Sequence, residues 1–267
     1  MPSYVVTGAS RGIGREFVAQ LSKDPSNIVF GMIRSPQSAT QLLELQKTRP
    51  NVHILHADIT DVPSLKAAAA EVAKVTGGSL DYLINNAAQV FTDRFNLTLT
   101  SYPDEKLLEE DLVDAFRINV VGVVHTTNVF LPLLRAGATK KVITLSTAIA
   151  LPEVTLATGF TVHAPYCITK AALNQAISKY AVGLRDEGFI FLAISPGLVN
   201  TAEKPPTPEE LKFFEDTFPK FKKLVPEWDG NPITPETSVR LMLGIIDKVT
   251  VKDTGAFVSH WGNQKWL

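Results

Sequence analysis

Thr7-Gly8-Ala9-Ser10-Arg11-Gly12-Ile13-Gly14 is the stretch of sequence that decides the fold. A short apolar run, Tyr4-Val5-Val6, precedes it, and an amphipathic pattern with Phe17, Val18 and Leu21 follows it. This order predicts a strand, a glycine-rich turn and a helix. The free N–H groups at a helix N-terminus favour a phosphate, and glycines let the backbone approach it closely. The stretch therefore predicts a dinucleotide site, although a turn that only packs a helix on a strand can contain the same glycines.

Composition and charge limit the class of protein. The chain has 267 residues, 45% hydrophobic and 20% charged, and we expect one domain over 1–267. A formal net charge of −1 gives no field that would attract nucleic acid or an anionic membrane. The single cysteine, Cys167, excludes an internal disulfide and a thiolate metal cluster, and His53 and His56 lack a third metal ligand nearby. The chain enters a strand without room for a signal peptide and has no apolar run of membrane-spanning length, so we expect a cytoplasmic protein.

Short apolar runs alternate with longer amphipathic stretches. The apolar runs, which we interpret as strands, are 3–7, 27–33, 52–56, 80–84, 141–146, 189–194 and 255–259. The amphipathic stretches, which we interpret as helices, are 12–23, 36–48, 62–75, 105–135, 164–186, 207–218 and 235–248. Continuous apolar runs are typical of parallel strands covered on both faces. The pattern predicts an α/β fold of the Rossmann type, with one doubly wound domain, a seven-stranded parallel sheet and helices on both faces.

Three connections, 88–104, 148–163 and 200–234, are longer than simple turns. Each follows a predicted strand, and ligands of such sheets bind beyond the carboxyl ends of the strands. We therefore interpret the three segments as walls of a substrate pocket, with 200–234 as a lid. The aromatic residues of the lid favour a hydrophobic substrate, but a surface helix packed on the core would have the same pattern.

Tyr166 and Lys170 are four positions apart in a predicted helix, so their side chains share one face. The pKa of a free phenol is about 10, and a neighbouring ammonium lowers it. Tyr166 could then protonate a developing alkoxide or deprotonate an alcohol. Because this spacing is also common on solvated helix faces, the pair gains meaning only together with other residues.

Two hydroxyl side chains, Ser146 and Thr147, stand at the end of the apolar run 141–146. This is the end of the strand where ligands bind. A hydroxyl there could hydrogen-bond a substrate carbonyl and hold it near Tyr166. The alternative is a strand-terminal hydroxyl that only satisfies backbone groups.

Taken in order, the motifs resemble those of the short-chain dehydrogenase/reductase family. They are the 7–14 turn, Asn85-Asn86-Ala87-Ala88, Asn119, Ser146-Thr147, Tyr166 with Lys170, and Pro196-Gly197. The resemblance runs from about Ser3 to Phe257, nearly the whole chain. It is similar in particular to the fungal ketoreductases and sniffer-like carbonyl reductases, through Gly255-Ala256-Phe257 and the terminal tryptophan.

The resemblance implies a role for each matching residue. The implied catalytic residues are Tyr166, Lys170, Asn119 and a hydroxyl from Ser146 or Thr147, with Asn119 holding a water that links Lys170 to solvent. The implied cofactor-binding residues are Gly8, Ser10, Gly12, Ile13, Gly14, Asp58, Ile59, Asn85, Ala87, Tyr166, Lys170, Pro196, Gly197, Val199 and Thr201. Asp58 would bind the adenine amine, or else serve as a turn carboxylate before Thr60.

The chain departs from the family pattern at two places. Ala88 stands where the family usually has glycine, and its methyl could narrow the space near the cofactor. The distance from the hydroxyls to Tyr166 is longer than usual, which indicates an insertion in 148–163. The insertion leaves the catalytic hydroxyl open: the family's spacing pattern selects Thr147, whereas residue identity selects Ser146, which we favour.

Charge at the end of the second predicted strand indicates the cofactor. An acidic residue there would bind a ribose 2′-hydroxyl and repel a 2′-phosphate, but the strand ends in Arg34-Ser35. Arg34 and Arg11 could instead hold a phosphate, because a guanidinium matches its geometry. We therefore expect NADP(H), with solvated surface charge as the alternative for both arginines.

The leading hypothesis is an NADPH-dependent carbonyl reductase that acts on a ketone or aldehyde of a small hydrophobic metabolite, with Tyr166 as general acid. A second hypothesis keeps the fold and cofactor but performs a non-redox step, such as dehydration, isomerisation or cyclisation. A third is a catalytically silent NADPH-binding regulator. The family resemblance also implies a homodimer or homotetramer built through helices 105–135 and 164–186.

Overall fold

The protein is built on one parallel β-sheet. The computed structural model describes residues 1–202 and 204–267, so Glu203 of the predicted lid lies outside the described residues. Within them the strands are β1 (Ser3–Thr7), β2 (Ile28–Ile33), β3 (Val52–His56), β4 (Tyr82–Asn85), β5 (Lys141–Leu145), β6 (Ile190–Ser195) and β7 (Phe257–Ser259). Their spatial order is β3-β2-β1-β4-β5-β6-β7, and all pairs are parallel. The order reverses between β1 and β4, which is the point where such sheets bind ligands.

Helices cover both faces of the sheet, as predicted. They are α1 (Gly12–Leu21), α2 (Thr40–Thr48), α3 (Val62–Thr76), α4 (Glu105–Phe116), α5 (Val123–Ala136), α6 (Pro152–Thr158), α7 (Ala164–Gly183), α8 (Pro208–Leu224) and α9 (Pro235–Lys248). Successive strand residues point to opposite faces. Val6 therefore packs in the core beneath α1 and α9, whereas Val5 packs in the core beneath α3, α5 and α7. Burial on both faces explains the continuous apolar runs of the strands.

The predicted helix 105–135 is not one regular α-helix. A π-helical turn, Arg117–Gly122, separates α4 from α5. Such turns insert an extra residue into a helix and are frequent at functional sites. By length and composition alone, the stretch Glu105–Ala136 is apolar enough to cross a membrane, as the core helices of many globular proteins are. In its most apolar part, 44% of the residues are buried inside the protein.

Two further boundaries differ from prediction. Helix α6 lies in a segment that we predicted as irregular; it begins with Pro152 at its first position and ends at Gly159, which has φ +63°. These are ordinary helix start and stop signals, so the sequence could have revealed it. Helix α8 continues past 218 although it contains Pro219. On either side of this proline, Phe218 packs against Trp228 and Phe221 against Phe160.

Candidate active site

The turn after β1 is closed by contacts that leave no room for side chains. Gly8 has φ +65°, and a Cβ on it would lie 2.8 Å from Cα of Ala87. A Cβ on Gly14 would lie 2.3 Å from the carbonyl oxygen of Gly8. The Asn86 side chain donates hydrogen bonds to the carbonyls of Thr7 and Gly8, at 2.9 and 3.1 Å. The ends of β1 and β4 are therefore joined beside the topological switch point, as a backbone cradle for a ligand requires.

The rest of the turn lies at the N-terminus of α1. Arg11 is exposed at the N-cap position, and its side chain does not cap the helix. Gly12 has φ +56°, and the Thr201 side chain lies 3.4 Å from where its Cβ would be. Ser10 is half-buried, and Ile13 packs against the core. The structure thus brings the start of the predicted lid to the glycine turn.

Arg34 and Asp58 lie beyond the adjacent carboxyl ends of β2 and β3. Oδ1 of Asp58 accepts hydrogen bonds from the backbone N–H and the hydroxyl of Thr60, at 2.8 and 2.7 Å, which is the turn role we had left open. Burial raises the pKa of Asp58, but the Thr60 hydrogen bonds and the charges of Arg34 and Arg117 outweigh it, so the pKa lies below its ordinary value. The carboxylate stays ionised with Oδ2 as a further acceptor. The next residue, Ile59, is buried.

Helix α7 carries Tyr166 and Lys170 to the end of β5. Nζ of Lys170 lies 5.7 Å from the centre of the Tyr166 ring and donates a 2.7 Å hydrogen bond to the carbonyl of Leu145, the last residue of β5. Lys170 is buried and Tyr166 is half-buried. The four-residue spacing thus places the phenol and the amine together at the ligand-binding edge of the sheet.

The pKa of Tyr166 differs from our expectation. Burial, followed by the neighbouring Cys167, raises the pKa of the phenol above its ordinary value, whereas we predicted that Lys170 would lower it. Burial also lowers the pKa of Lys170 to about 8. Desolvation disfavours the charged form of both groups. Tyr166 therefore holds its proton at neutral pH, which suits a proton donor.

The two candidate hydroxyls have different surroundings. Ser146 is only 1% exposed, and its hydroxyl donates a 2.6 Å hydrogen bond to Oδ1 of Asn174 on α7. Thr147 is half-buried, and no hydrogen bond joins its hydroxyl to another described residue. We did not predict Asn174 from the sequence, although it continues the four-residue spacing of Tyr166 and Lys170. Of the two hydroxyls, Thr147 is therefore the one whose O–H donor is not already used.

The π-helical turn carries Asn119 into the protein interior. Its side-chain amide accepts a 2.7 Å hydrogen bond from the Gln89 N–H and donates to the Gln89 carbonyl and the Thr169 hydroxyl, each at 3.0 Å. Thr169 in turn donates to the Tyr166 carbonyl at 2.8 Å. Both amide N–H groups are used, so Oδ1 keeps one lone pair for a further donor such as water.

Asn85 stands at the end of β4, in the centre of the sheet. Its amide donates a 3.2 Å hydrogen bond to the Thr127 hydroxyl on α5. Its buried Oδ1 and the buried hydroxyl of Thr144, its partner on β5, have no hydrogen-bond partner among the described residues. Ala88 is exposed. The side chain of Asn85 thus links β4 to α5, consistent with the predicted support of the sheet centre.

The turn after β6 is held from two sides. The Ser238 hydroxyl donates a 2.7 Å hydrogen bond to the carbonyl of Pro196. Gly197 has φ +83°, and a Cβ on it would lie 2.7 Å from the buried His260 ring. Val199 follows and forms a parallel bridge to the segment just before α9. His260 was missed by the sequence analysis, because nothing local predicts that β7 brings it under this turn.

The three long connections meet through aromatic side chains. Phe213 of α8 packs against Phe95 from 88–104 and Phe160 from 148–163, with ring centres 5.3 and 6.3 Å apart. A small cavity beside this cluster is lined by Tyr166, Pro165, His163, Phe91, Arg94, Leu97 and Tyr102. The structure therefore brings together the three segments that we interpreted as pocket walls, and the cavity, which is lined by residues of 88–104 and 148–163 but by none of 200–234, reaches Tyr166.

Comparisons with known proteins identify the family of the chain. A family profile described as short chain dehydrogenase matches residues 3–212. The short chain dehydrogenase virK of Hypocrea virens is 42% identical over 272 residues, and the short-chain dehydrogenase/reductase atnB of Arthrinium sp. is 44% identical over 271 residues. Both alignments cover 100% of each chain.

Solved structures share the fold. The NADPH-bound carbonyl reductase from chicken fatty liver superposes with a TM-score of 0.81 at 29% identity, over 98% of each chain. The carbonyl reductase Sniffer of D. melanogaster gives a TM-score of 0.79 at 23% identity, also over 98% of each chain, and supports the fold alone. The chain is therefore an oxidoreductase that belongs to the short-chain dehydrogenase/reductase family.

Proposed function

We propose that the protein is an NADPH-dependent carbonyl reductase in which Tyr166 is the general acid. The observation that carries the proposal is that Lys170, which lies 5.7 Å from the Tyr166 ring, bonds the last residue of β5, two residues before Thr147, at the same edge of the sheet as the glycine turn. The similar chicken structure, an NADPH-bound carbonyl reductase, supports the same activity.

The residues present fit a dinucleotide phosphate. The close approach of Gly8 to Ala87 leaves a turn of bare backbone at the N-terminus of α1, which suits a pyrophosphate. Exposed Arg34 and Arg11 supply positive charge for a 2′-phosphate. When bound, NADPH supplies a hydride to the carbonyl carbon.

Tyr166 supplies the proton that completes the reduction. Because burial raises the pKa of its phenol, the group is protonated at neutral pH and can give its proton to the alkoxide that forms. The nearby Lys170 ammonium stabilises the phenolate that is left.

Thr147 is our choice for the hydroxyl that holds the substrate oxygen. The Ser146 hydroxyl is buried and bonded to Asn174, whereas the half-buried Thr147 retains a free donor. This choice reverses our preference from the sequence.

Asn119 and Lys170 form the route by which the proton is replaced. Oδ1 of Asn119 can accept a hydrogen bond from one water, and Thr169 links the same amide to the backbone of Tyr166. Such an arrangement would connect the buried Lys170 amine to solvent.

Exposed apolar side chains support a homo-oligomer. Val113 and Phe116 on α4 are 58% and 43% exposed, and Ile168 and Val182 on α7 are 46% and 66% exposed. These are the helices through which the sequence predicted self-association.

The test measures NADPH oxidation with a panel of aliphatic and aromatic ketones and aldehydes. We expect turnover by the wild-type protein, and about a hundredfold or greater loss in Tyr166→Phe with nearly unchanged NADPH affinity. Tyr180→Phe, which alters another phenol on α7, is the matched control and should remain active. Retained turnover in Tyr166→Phe would exclude the tyrosine from its role. Product formation without NADPH oxidation would indicate a non-redox enzyme, and NADPH binding without any turnover would indicate a regulator.

A further inference from the structure

Asp111 is the only carboxylate that is buried among the residues the structure describes. It lies in the middle of α4 and is 3% exposed. A carboxylate loses its hydration when it is buried, so it needs hydrogen-bond donors around it. Asp111 belongs neither to the glycine turn nor to the Tyr166–Lys170 pair, so its partners indicate its role.

Two residues of the connection 88–104 supply these donors. Nε and Nη2 of Arg94 donate hydrogen bonds to Oδ2 and Oδ1 of Asp111, at 2.9 and 3.0 Å. The Tyr102 hydroxyl donates to Oδ2 at 3.1 Å. A guanidinium that is bound through two nitrogens is fixed in orientation as well as in position. Because Arg94 and Tyr102 stand eight positions apart in the connection, one carboxylate holds two separate parts of it against α4.

The segment held in this way forms one wall of the small cavity beside Tyr166. Phe91, Arg94, Leu97 and Tyr102 line the cavity together with Tyr166. The Arg94 guanidinium also lies over the Phe91 ring, 5.0 Å from its centre, which links a further lining residue to Asp111. The free space holds about one water molecule, and a methyl group is of similar size. A group larger than a methyl therefore cannot enter the cavity unless this wall moves.

We propose that Asp111 is a positioning residue that limits the size of the substrate next to the reacting carbonyl. The carbonyl oxygen must lie near the Tyr166 hydroxyl to receive its proton. The smaller of the two groups on the carbonyl carbon would then occupy the cavity, and the larger group would lie outside it. The substrate class that follows is aldehydes and methyl ketones. This inference rests on the proposed carbonyl reduction for the role of Tyr166, but the size limit itself can be measured by binding alone.

The negative charge and the burial of Asp111 are what hold the wall. Asparagine has the same shape, but one of its two oxygens is replaced by an NH₂ group, which would face a donor of Arg94 or Tyr102. Asp93 provides a contrast, because it bonds Nη1 of the same Arg94 at 2.7 Å but its side chain is 67% exposed. An exposed ion pair contributes little. Asp111 rather than Asp93 should therefore fix the wall.

The test is calorimetric titration of the full chain, saturated with NADP⁺, with 4-nitrophenyl ketones that carry a methyl, an ethyl or an isopropyl group on the carbonyl. NADP⁺ cannot deliver a hydride, so binding is measured without turnover. We expect the wild-type protein to bind the methyl ketone at least about tenfold more tightly than the isopropyl ketone, because the larger group overpacks the cavity. Asp111→Asn should reduce this ratio to about threefold or less, chiefly through tighter binding of the isopropyl ketone.

Two further variants separate this role from a general effect on stability. Tyr102→Phe removes one donor and keeps the ring in the wall, so it should reduce the ratio by a smaller factor. Asp93→Asn removes the same charge from the exposed side of Arg94 and should keep the wild-type ratio. A substitution that only destabilised the fold would weaken the binding of all three ketones alike and leave the ratio unchanged.

The inference is overturned if the wild-type ratio persists in Asp111→Asn or, should that variant not fold, in Tyr102→Phe. It is also overturned if Asp93→Asn lowers the ratio as much as Asp111→Asn does, or if the wild-type protein binds the isopropyl ketone as tightly as the methyl ketone or binds neither. Failure of the proposed function is separate, because it would appear as the expected order of binding with NADP⁺ but no oxidation of NADPH in the presence of the methyl ketone.

Discussion

The Ser146 hydroxyl donates a 2.6 Å hydrogen bond to Oδ1 of Asn174, about two helical turns beyond Tyr166 on the same helix. This bond ties the end of β5 to α7 and supports the position of Lys170, which bonds the preceding carbonyl of Leu145. A hydroxyl with this partner is a structural link between two elements. The next residue, Thr147, is then the one with a hydroxyl available to a substrate.

Separate substitutions of Ser146 and Thr147 should show which hydroxyl stabilises the fold and which takes part in catalysis. We expect Thr147→Ala to lower kcat by about a hundredfold, as for loss of one donor to a developing oxyanion, and Thr147→Ser to retain most activity. We expect Ser146→Ala to leave the Asn174 amide oxygen without its partner and to lower the free energy of unfolding by about 1–3 kcal/mol, with a smaller loss of kcat. Steady-state kinetics and urea unfolding measure the two effects. A reversed pattern, with Thr147→Ala fully active, would return the role to Ser146.

Gly8 should be intolerant of any side chain. Gly8→Ala places a Cβ 2.8 Å from Cα of Ala87 and also suffers the cost of a positive φ. Gly77→Ala is the matched control, since Gly77 has a similar φ of +71° but open space around its Cβ position. We expect Gly77→Ala to lose about 1 kcal/mol of stability with normal NADPH affinity. Gly8→Ala should lose more stability and bind NADPH at least about tenfold more weakly. Equal behaviour of the two variants would mean that close approach at Gly8 is unimportant.

The sheet and the Tyr166–Lys170 helix could be predicted because their signals are local. Continuous apolar runs indicate parallel strands, and a four-residue spacing on a helix places two side chains on the same face. The glycine-rich turn 7–14 could likewise be predicted, because its tight geometry follows from its own glycines. The predicted strand and helix boundaries accordingly agree with the structure to within a few residues for most elements.

The choice between Ser146 and Thr147 could not be predicted, because it depends on Asn174 in a different element. The π-helical turn at Asn119 has no simple periodic signal, and burial of Tyr166 depends on the loops around it. Burial raises the pKa of Tyr166, whereas the sequence showed only the charge of Lys170, which would lower it. Helix α6 differs from these cases, since its proline and glycine boundaries were readable.

Arg34 should decide between the two nicotinamide cofactors. Its exposed guanidinium lies just beyond β2, and the adjacent Asp58 carboxylate is already bonded to Thr60. We expect Arg34→Asp to weaken NADPH by about tenfold or more, because a charged partner of the 2′-phosphate is replaced by a repelling one, and to affect NADH little. Arg185→Asp, an exposed arginine before β6 at the opposite edge of the sheet, is the control. Equal loss of affinity for both cofactors in Arg34→Asp would exclude discrimination by this residue.

The pH dependence of reduction should report Lys170 rather than Tyr166. Burial lowers the pKa of Lys170 to about 8, whereas it raises the pKa of Tyr166, so the phenol keeps its proton while the ammonium loses its own. Above pH 8 the neutral amine no longer stabilises the phenolate that remains after proton transfer, and kcat/KM, which reports groups of the free enzyme, should decline as pH rises through this value. Lys170→Arg keeps its charge over this range, so its kcat/KM, though lower, should show no such decline. Lys141→Arg replaces another buried lysine, at the opposite end of β5, and should leave the wild-type profile unchanged. A decline that persists in Lys170→Arg would assign the titration to a different group.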